Sequence, residues 1–503
     1  IDYSCRFNDD DSAYLYKTPD ATNQKTWTFS TWFKIGNLGG GSEAKTFLAA
    51  GTDGGGTGAG YTVIRISESD AIYFEYYASS AAVWKYVSNQ VLRDPGAWYH
   101  LVVAVDTTQG AAGNRIRIYL NGSEVTSFST ETDPSADTTG NVGANILHRV
   151  GSASWGVSSL FDGYMAETIY IDGTQLTPSS FGETNSTTGQ WVPKSVSGLT
   201  FGTEGFLFAY QDSSALGDDT SGNGNDWTSS GLASNDQMPD TPTDNYCTWH
   251  ALNGVTTQVL SNGNLTSNFG ATGHTNTNGT MALPPSGKWF WEIDWEQDDP
   301  AMTTCDLGVV NVDTADTNTG TGTFITTGMY GYRDDNGNFN DQGTQESYGD
   351  SYTDAVISIA WDADNGNLFF AKDGTWQNSA TQAEIEAGTG TNAAKTGLTG
   401  ISMAPHAQSD GLNAGPRGTL NCGQSSFTAT KPTGFSTPST ANFPDPTIAD
   451  PSAYFQPTIY TGDGESSLAV NQGGNNTFAP NMVWIKNRSA ADDHCLFDSV
   501  RGA

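Results

Sequence analysis

Apolar and polar residues alternate along most of the first 170 positions. In segment 26–34, Trp27, Phe29, Thr31 and Phe33 fall on one face of an extended chain, and Thr28, Ser30 and Trp32 on the other. Similar stretches at 3–7, 13–17, 46–50, 61–67, 71–78, 83–88, 98–106, 115–120 and 163–171 predict strands. Strands at this spacing predict a two-sheet antiparallel sandwich. A second strand-rich block follows, with GKWFWEIDWE (287–296), CDLGVVN (305–311), GMYGYRDDNGNF (328–339) and LNCGQSSF (420–427). Its centre is a hairpin at 354–374. There Val356, Ser358 and Ala360 alternate with Ile357, Ile359 and Trp361, and Asp364-Asn365-Gly366 supplies residues that tolerate positive φ. Asn121-Gly122 and Asp373-Gly374 mark further turns. Helical periodicity is confined to two turns at 380–387, and no heptad repeat indicates a stalk.

The expected fold class is all-β: tandem antiparallel sandwiches plus the start of a third β unit. The domains expected are 1–234, a linker at 235–249, a second sandwich at 250–432, a Pro/Ser/Thr-rich linker at 433–453 and a partial β unit at 454–503. The ends of the chain read as those of a fragment of a longer polypeptide.

Composition narrows the function. The chain has 503 residues, with 14 Trp, 20 Tyr, 23 Phe and 59 Gly, a profile of short strands and tight turns. Its 55 Asp and Glu against 21 Lys and Arg give a net charge of −34, which argues against nucleic acid as a partner. No run approaches 18 apolar residues, so no membrane insertion by a helix is expected. The acidic residues are scattered and suit a salty medium, where the Debye length shrinks to roughly 3–4 Å. Cys5, Cys247, Cys305, Cys422 and Cys495 form no CxxC, and buried free thiols are expected, with Cys305–Cys422 as the one pairing worth testing.

The opening RFNDDDSAYL (6–15), then WTFSTWFK (27–34), WYHLVVAVD (98–106), RIYLNG (117–122) and FDGYMAETIYIDG (161–173), in that order, resemble the laminin-G-like, concanavalin A-like jelly roll. The DDTSGNGNDW stretch (218–227) resembles a turn of such domains, displaced here to follow the other strands. The W-x-WE strand, the WDADNGNLFFAKDG hairpin and the closing N-x-GQ-x-x-F resemble the SPRY domain, a sandwich used to bind proteins. Followed by WIKNRS (484–489), this order resembles virion proteins of marine tailed phages. That resemblance implies an exterior, extracellular virion location, contact with other virion proteins and with a host-surface glycan or protein, and a homo-oligomer.

Candidate chemistry is sparse. Glu292, Asp294 and Glu296 resemble the E-I-D-x-E catalytic strand of retaining β-glucanases, and period 2 puts all three on one strand face. Such enzymes need two carboxyls about 5–5.5 Å apart. The same strand is the SPRY W-x-WE strand, whose acids face water, so no catalytic residue is assigned and a glycoside hydrolase using Glu292 and Glu296 is the alternative. Asp212, Asp218, Asp219, Asn223, Asn225 and Asp226 offer the mixed oxygens that Ca²⁺ prefers, although S-G-N-G-N is also an ordinary tight turn. Asp162 and Asp9–Asp11 are rival ligand sets. Tyr73, Tyr76, Tyr77, Trp84, Tyr86 and Trp155 can stack on sugar rings, with most of them expected in the core. His100, His148, His250, His274, His406 and His494 are dispersed, with no nucleophile motif. The Gly-rich stretches at 39–41 and 54–60 read as loops.

The expected function is non-enzymatic: binding sandwiches displayed for host attachment. A purely structural role in virion decoration or fibre assembly is the other non-enzymatic reading. The sequence names no ligand.

Overall fold

The computed structural model describes residues 1–38, 43–52, 60–252, 259–269, 272–297, 304–314, 324–412, 416–464, 467–472 and 477–501. The 39–41 loop, and the 54–60 loop apart from Gly60, lie outside them. Contacts divide the chain into one compact unit of Ile1–Phe181 and Pro193–Phe443, and another of Gly182–Val192 and Pro444–Ala503. The larger unit holds two sandwiches.

In the first sandwich, one sheet runs Ser123–Glu124, Ile116–Leu120, Tyr99–Asp106, Thr26–Ile35, Gly163–Asp172, Ser4–Phe7 and Gln237–Met238, with Phe206–Phe208 also on Gly163–Asp172. The facing sheet runs Phe128–Thr132, Ala81–Val91, Ala71–Ala78, Tyr61–Ile66, Lys45–Gly51, His148–Val150, Tyr14–Lys17 and Thr228–Ser230. All ten strands expected from alternation form. Trp27, Phe29 and Phe33 point into the core between the sheets, as their period demands. The opposite face of Thr26–Ile35 is also buried, because the outer side of this sheet packs against Phe181, Val196 and Phe201. Trp32 stacks there on His100, with ring centroids 4.4 Å apart.

The second sandwich pairs two further sheets. One runs Val259–Ser261, Thr266–Asn268, Arg417–Asn421, Lys288–Glu296, Ala355–Asp362, Asn367–Lys372 and Thr375–Trp376. The other runs Thr272–Asn278, Met403–Leu412, Cys305–Asn311, Met329–Arg333, Asn338–Asp341 and Thr344–Ser347. Trp289, Trp291, Ile293 and Trp295 fill its core from alternate positions of one strand. The single α-helix among the described residues is Gln382–Ala387. Thr381 caps it by accepting from the Glu384 amide, and Gly388 closes it at φ 71°.

The first segment expected as a linker is packed, as is the start of the second, whereas 444–449 are exposed. Asp240, Cys247 and Trp249 are fully buried, and Gln237–Met238 completes the first sheet beside Ser4. Phe435 is buried, and Ser436 and Ser439 bridge to Trp289 and Tyr246. The displaced turn completes the first sandwich: Trp227 enters its core and Thr228–Ser230 pairs with Tyr14–Lys17.

All five cysteines are free, and only Cys495 is exposed. Cys305 and Cys422, the pairing worth testing, are not joined. Cys422 lies in thiol contact with Cys247, and Gln424 clamps both by accepting from the Cys422 amide and donating to the Cys247 carbonyl. In the smaller unit, Met482–Ile485 pairs with Cys495–Asp498, and both strands leave their apolar side chains largely exposed.

Candidate functional site

The outer face of the second sheet of the first sandwich gathers aromatic and charged side chains. Along Ala71–Ala78, Ile72 and Phe74 turn into the core, so Tyr73, Glu75 and Tyr77 turn outward. Along Tyr61–Ile66, Ile64 and Ile66 point inward, and Tyr61, Val63 and Arg65 outward. Register then fixes neighbours. Tyr61 lies opposite Tyr77, Val63 opposite Glu75 and Arg65 opposite Tyr73. One row crosses six strands: Tyr16, Arg149, Ala49, Val63, Glu75 and Lys85.

Around this row the rings form a surface. Tyr61 and Tyr77 stack at 5.5 Å, and Trp155 packs on Tyr61 at 4.3 Å. The Arg65 guanidinium lies 4.3 Å and the Lys85 ammonium 4.8 Å from the Tyr73 ring centroid. Glu75 anchors the group, accepting from the Tyr61 hydroxyl at 2.9 Å and pairing with Lys85 at 3.4 Å. Burial, with help from Glu75, raises the Tyr61 hydroxyl pKa, so it stays a donor. Tyr14, beneath the Arg149 guanidinium at 5.0 Å, and half-exposed Tyr16 extend the face. Flat rings and fixed polar tips are the groups that hold a hydroxylated ring, by stacking on its C–H face and bonding its hydroxyls.

Of the six aromatics singled out in sequence, Tyr77 and Trp155 reach this face half-buried, and Tyr73 turns toward it but is buried beneath Arg65 and Lys85. Trp84 and Tyr86 are buried in the core, and Tyr76 packs against it. Tyr61, Arg65, Glu75, Lys85 and Arg149 were missed. Alternation alone pairs Tyr61 with Arg65 on one strand face, whereas their cross-strand neighbours depend on register.

The carboxylates of the E-I-D-x-E strand share a face, as period 2 requires, but each has its own environment. Glu292 is buried and accepts from Ser358 Oγ and from the Thr428 and Ala429 amides, all at 2.8–2.9 Å. Asp294 is exposed, and partial burial and then Glu296 raise its pKa. Exposed Glu296 pairs with Arg417 at 2.7 Å. Glu292 thus ties the returning chain to the sheet.

The Asp212–Asp226 cluster serves its own loop. Asp219 accepts from the amides of Leu207, Ser221 and Asn225 and from Ser221 Oγ. Asp226 accepts from the Asp219 amide, Asp212 from Ser214, and Asn223 and Asn225 donate to Gly205. Asp218 is exposed. Among the described residues no group of three or more His, Cys, Asp or Glu side chains is arranged to hold a metal ion. In the rival set, Asp162 is buried, and burial followed by Asp9 pushes its pKa up to about 7. Burial holds His100, His148 and His406 neutral, pushed down to about 3, 4 and 4.

Comparison with known proteins agrees with this architecture. Residues 8–173 match the concanavalin A-like lectin/glucanases superfamily, 288–389 the SPRY domain, and 450–503 a domain of unknown function, DUF7483. The chain is therefore an all-β protein of tandem sandwiches, concanavalin A-like and then SPRY. No curated protein matches it. Among solved structures, the SPRY domain of human HERC1 is 16% identical, covering 35% of this chain and 99% of that one, at a TM-score of 0.28. A heptameric SAP-like pentraxin from Limulus polyphemus is 11% identical over 35% and 78%, at 0.25. The CBM40 of Ruminococcus gnavus IT-sialidase, bound to α2,3-sialyllactose, is 11% identical over 33% and 84%, at 0.22.

Proposed function

We propose that this chain is a non-enzymatic exterior protein of a tailed-phage virion that attaches to a host-surface glycan. The observation that carries the reading is the ring cluster of Tyr61, Tyr77 and Trp155 beside Arg65, Glu75 and Lys85. The match of residues 8–173 to a lectin and glucanase superfamily supports it, as does the tying of Glu292 to backbone amides. The virion location rests on the order of sandwiches and on the acidic surface. Display of many copies in a homo-oligomer raises a weak single-site affinity into avidity.

The test is binding of the chain, displayed multivalently, to candidate host cells, with and without EDTA. Binding competed by host glycan and lost in Trp155→Ala and Tyr77→Ala supports the reading. Calcium dependence would bring the Asp212–Asp226 cluster back as a metal site. Failure to bind under both conditions points to a purely structural virion role.

A further inference from the structure

Along one side of the first sandwich, both sheets finish in edge strands: Ser123–Glu124 in one and Phe128–Thr132 in the other. The chain crosses between these edges at 125–127. Beside the crossing lies a cleft of about 440 Å³, its open mouth included. That falls within the range of about 300–1,000 Å³ in which small ligands are held. The mouth is accessible. A Cβ built on Gly113 of the lining would meet nothing within 4 Å, and Glu124 and Glu131 are exposed.

The floor is the margin of the core. Ile116 and Ile118 reach it from one sheet and Tyr86 from the other, all three buried. Half-buried Phe128 packs edge-to-face on Tyr86, with ring centroids 5.4 Å apart. The Tyr86 hydroxyl donates to Asp133, which fixes that ring. Register sets the polar groups. Glu131 lies opposite Tyr86, whose ring points into the core, so the Glu131 side chain stands on the inner side of its sheet, at the cleft. The other sheet supplies Glu124 and Arg117. Arg117 is held by donating to Asn114 Oδ1 at 3.0 Å and lies 3.7 Å from Glu124. A guanidinium carries more donors than these contacts use.

The lining therefore mixes charge over an apolar floor. A cationic ligand would meet Arg117, and an anionic one Glu124 and Glu131. A neutral ligand bearing hydroxyls avoids both costs, because a hydroxyl donates to a carboxylate and accepts from a guanidinium. The C–H face of such a ligand can lie against Phe128. We propose that this cleft is a second subsite, for the ring of a neutral sugar. The choice of a sugar among neutral hydroxylated ligands rests on the glycan reading above. Lys85 and Tyr86 are consecutive on one strand, Lys85 at the aromatic face and Tyr86 in the cleft floor, so the two sites lie on opposite sides of the same sheet.

The test is saturation-transfer NMR on the full chain and on its Trp155→Ala variant, which removes the principal ring of the aromatic face. The probes are glucose, galactose, mannose and N-acetylglucosamine, with galacturonate and glucosamine as charged controls. At least one neutral sugar should still bind the Trp155→Ala chain, and the charged controls should give no signal there. Adding Glu131→Ala or Arg117→Ala should weaken that binding about tenfold or more. Glu131 is exposed and Arg117 partly so, and both variants should melt close to the parent. Binding by the parent that vanishes with Trp155→Ala alone would overturn the cleft and leave the aromatic face standing. Binding that survives Trp155→Ala undiminished and is lost with the cleft substitutions would uphold the cleft and overturn the aromatic face. No binding by the parent would overturn both. Affinity unchanged by both cleft substitutions, or preference for a charged sugar, would overturn the cleft and leave Glu131 as a guard against pairing at the sheet edge.

Discussion

Lys34 in the first sandwich donates to Asp240 at 2.9 Å, and both side chains are almost completely removed from solvent. Lys34 also donates to Asn245 Oδ1 and the Tyr246 carbonyl, while Trp98 Nε1 donates to Asp240. Asp240 lies in a segment whose composition reads as a linker. That segment instead runs from the first sheet, at Gln237–Met238, into the second sandwich, where Trp249 donates to the Gly418 carbonyl. Tyr164 of the first sandwich reaches the Gly263 carbonyl of the second, and Asn264 of the second the Gly36 carbonyl of the first.

Removing one member of the pair should therefore damage both sandwiches. Lys34→Ala leaves the Asp240 carboxylate buried and should cost about 3–5 kcal/mol. Urea unfolding should show both sandwiches melting earlier. Loss confined to the first sandwich would contradict the shared hub.

A pH dependence follows from Asp162, whose pKa rises from the ordinary 3.8 to about 7 because it is buried and faces Asp9. Between those values the folded state keeps a proton that the unfolded chain has released, so stability falls as pH rises through the window. At about 1.4 kcal/mol per pKa unit the total is on the order of a few kcal/mol. Asp162→Asn should flatten the slope between about pH 4 and 7 and raise the melting temperature at pH 8. Glu167 and Asp334, also raised to about 7 mainly by burial, should keep part of the slope.

The two tryptophans tested as sugar platforms should behave oppositely. Trp84 is fully buried in the first core, so Trp84→Ala should cost about 3–5 kcal/mol in stability. Trp155 lies on the outer face, so Trp155→Ala should weaken glycan binding about tenfold while shifting the melting temperature far less. Calorimetry and a binding isotherm on each variant separate the two roles.

Chelation tests the loop around Asp219. Its oxygens are taken by three amides and a hydroxyl, so EDTA should leave the melting temperature unchanged. Asp219→Ala should cost about 1–3 kcal/mol by orphaning those donors. A drop in melting temperature with EDTA, reversed by Ca²⁺, would show that the loop holds an ion.

The strands were legible because period-2 alternation is written locally. Trp27, Phe29 and Phe33 on one strand, and Trp289, Trp291, Ile293 and Trp295 on another, announce buried faces before any partner is known. The common face of Glu292, Asp294 and Glu296 was legible for the same reason. Their separate environments were not, because Thr428 and Ala429 return to Glu292 from more than 130 positions away.

Register, burial and long-range packing were decided by tertiary structure alone. Local alternation cannot say which strand lies beside Tyr61–Ile66, so it could not bring Tyr61 and Tyr77 together over Glu75. It could not separate Trp84, facing the core, from Trp155, whose loop folds over the outer face. Nor could Pro- and Asp-rich composition show that Asp240 would find Lys34, since a buried ion pair is fixed by two distant segments meeting and excluding water. The sequence determined which residues share a strand face, and the fold determined what each face meets.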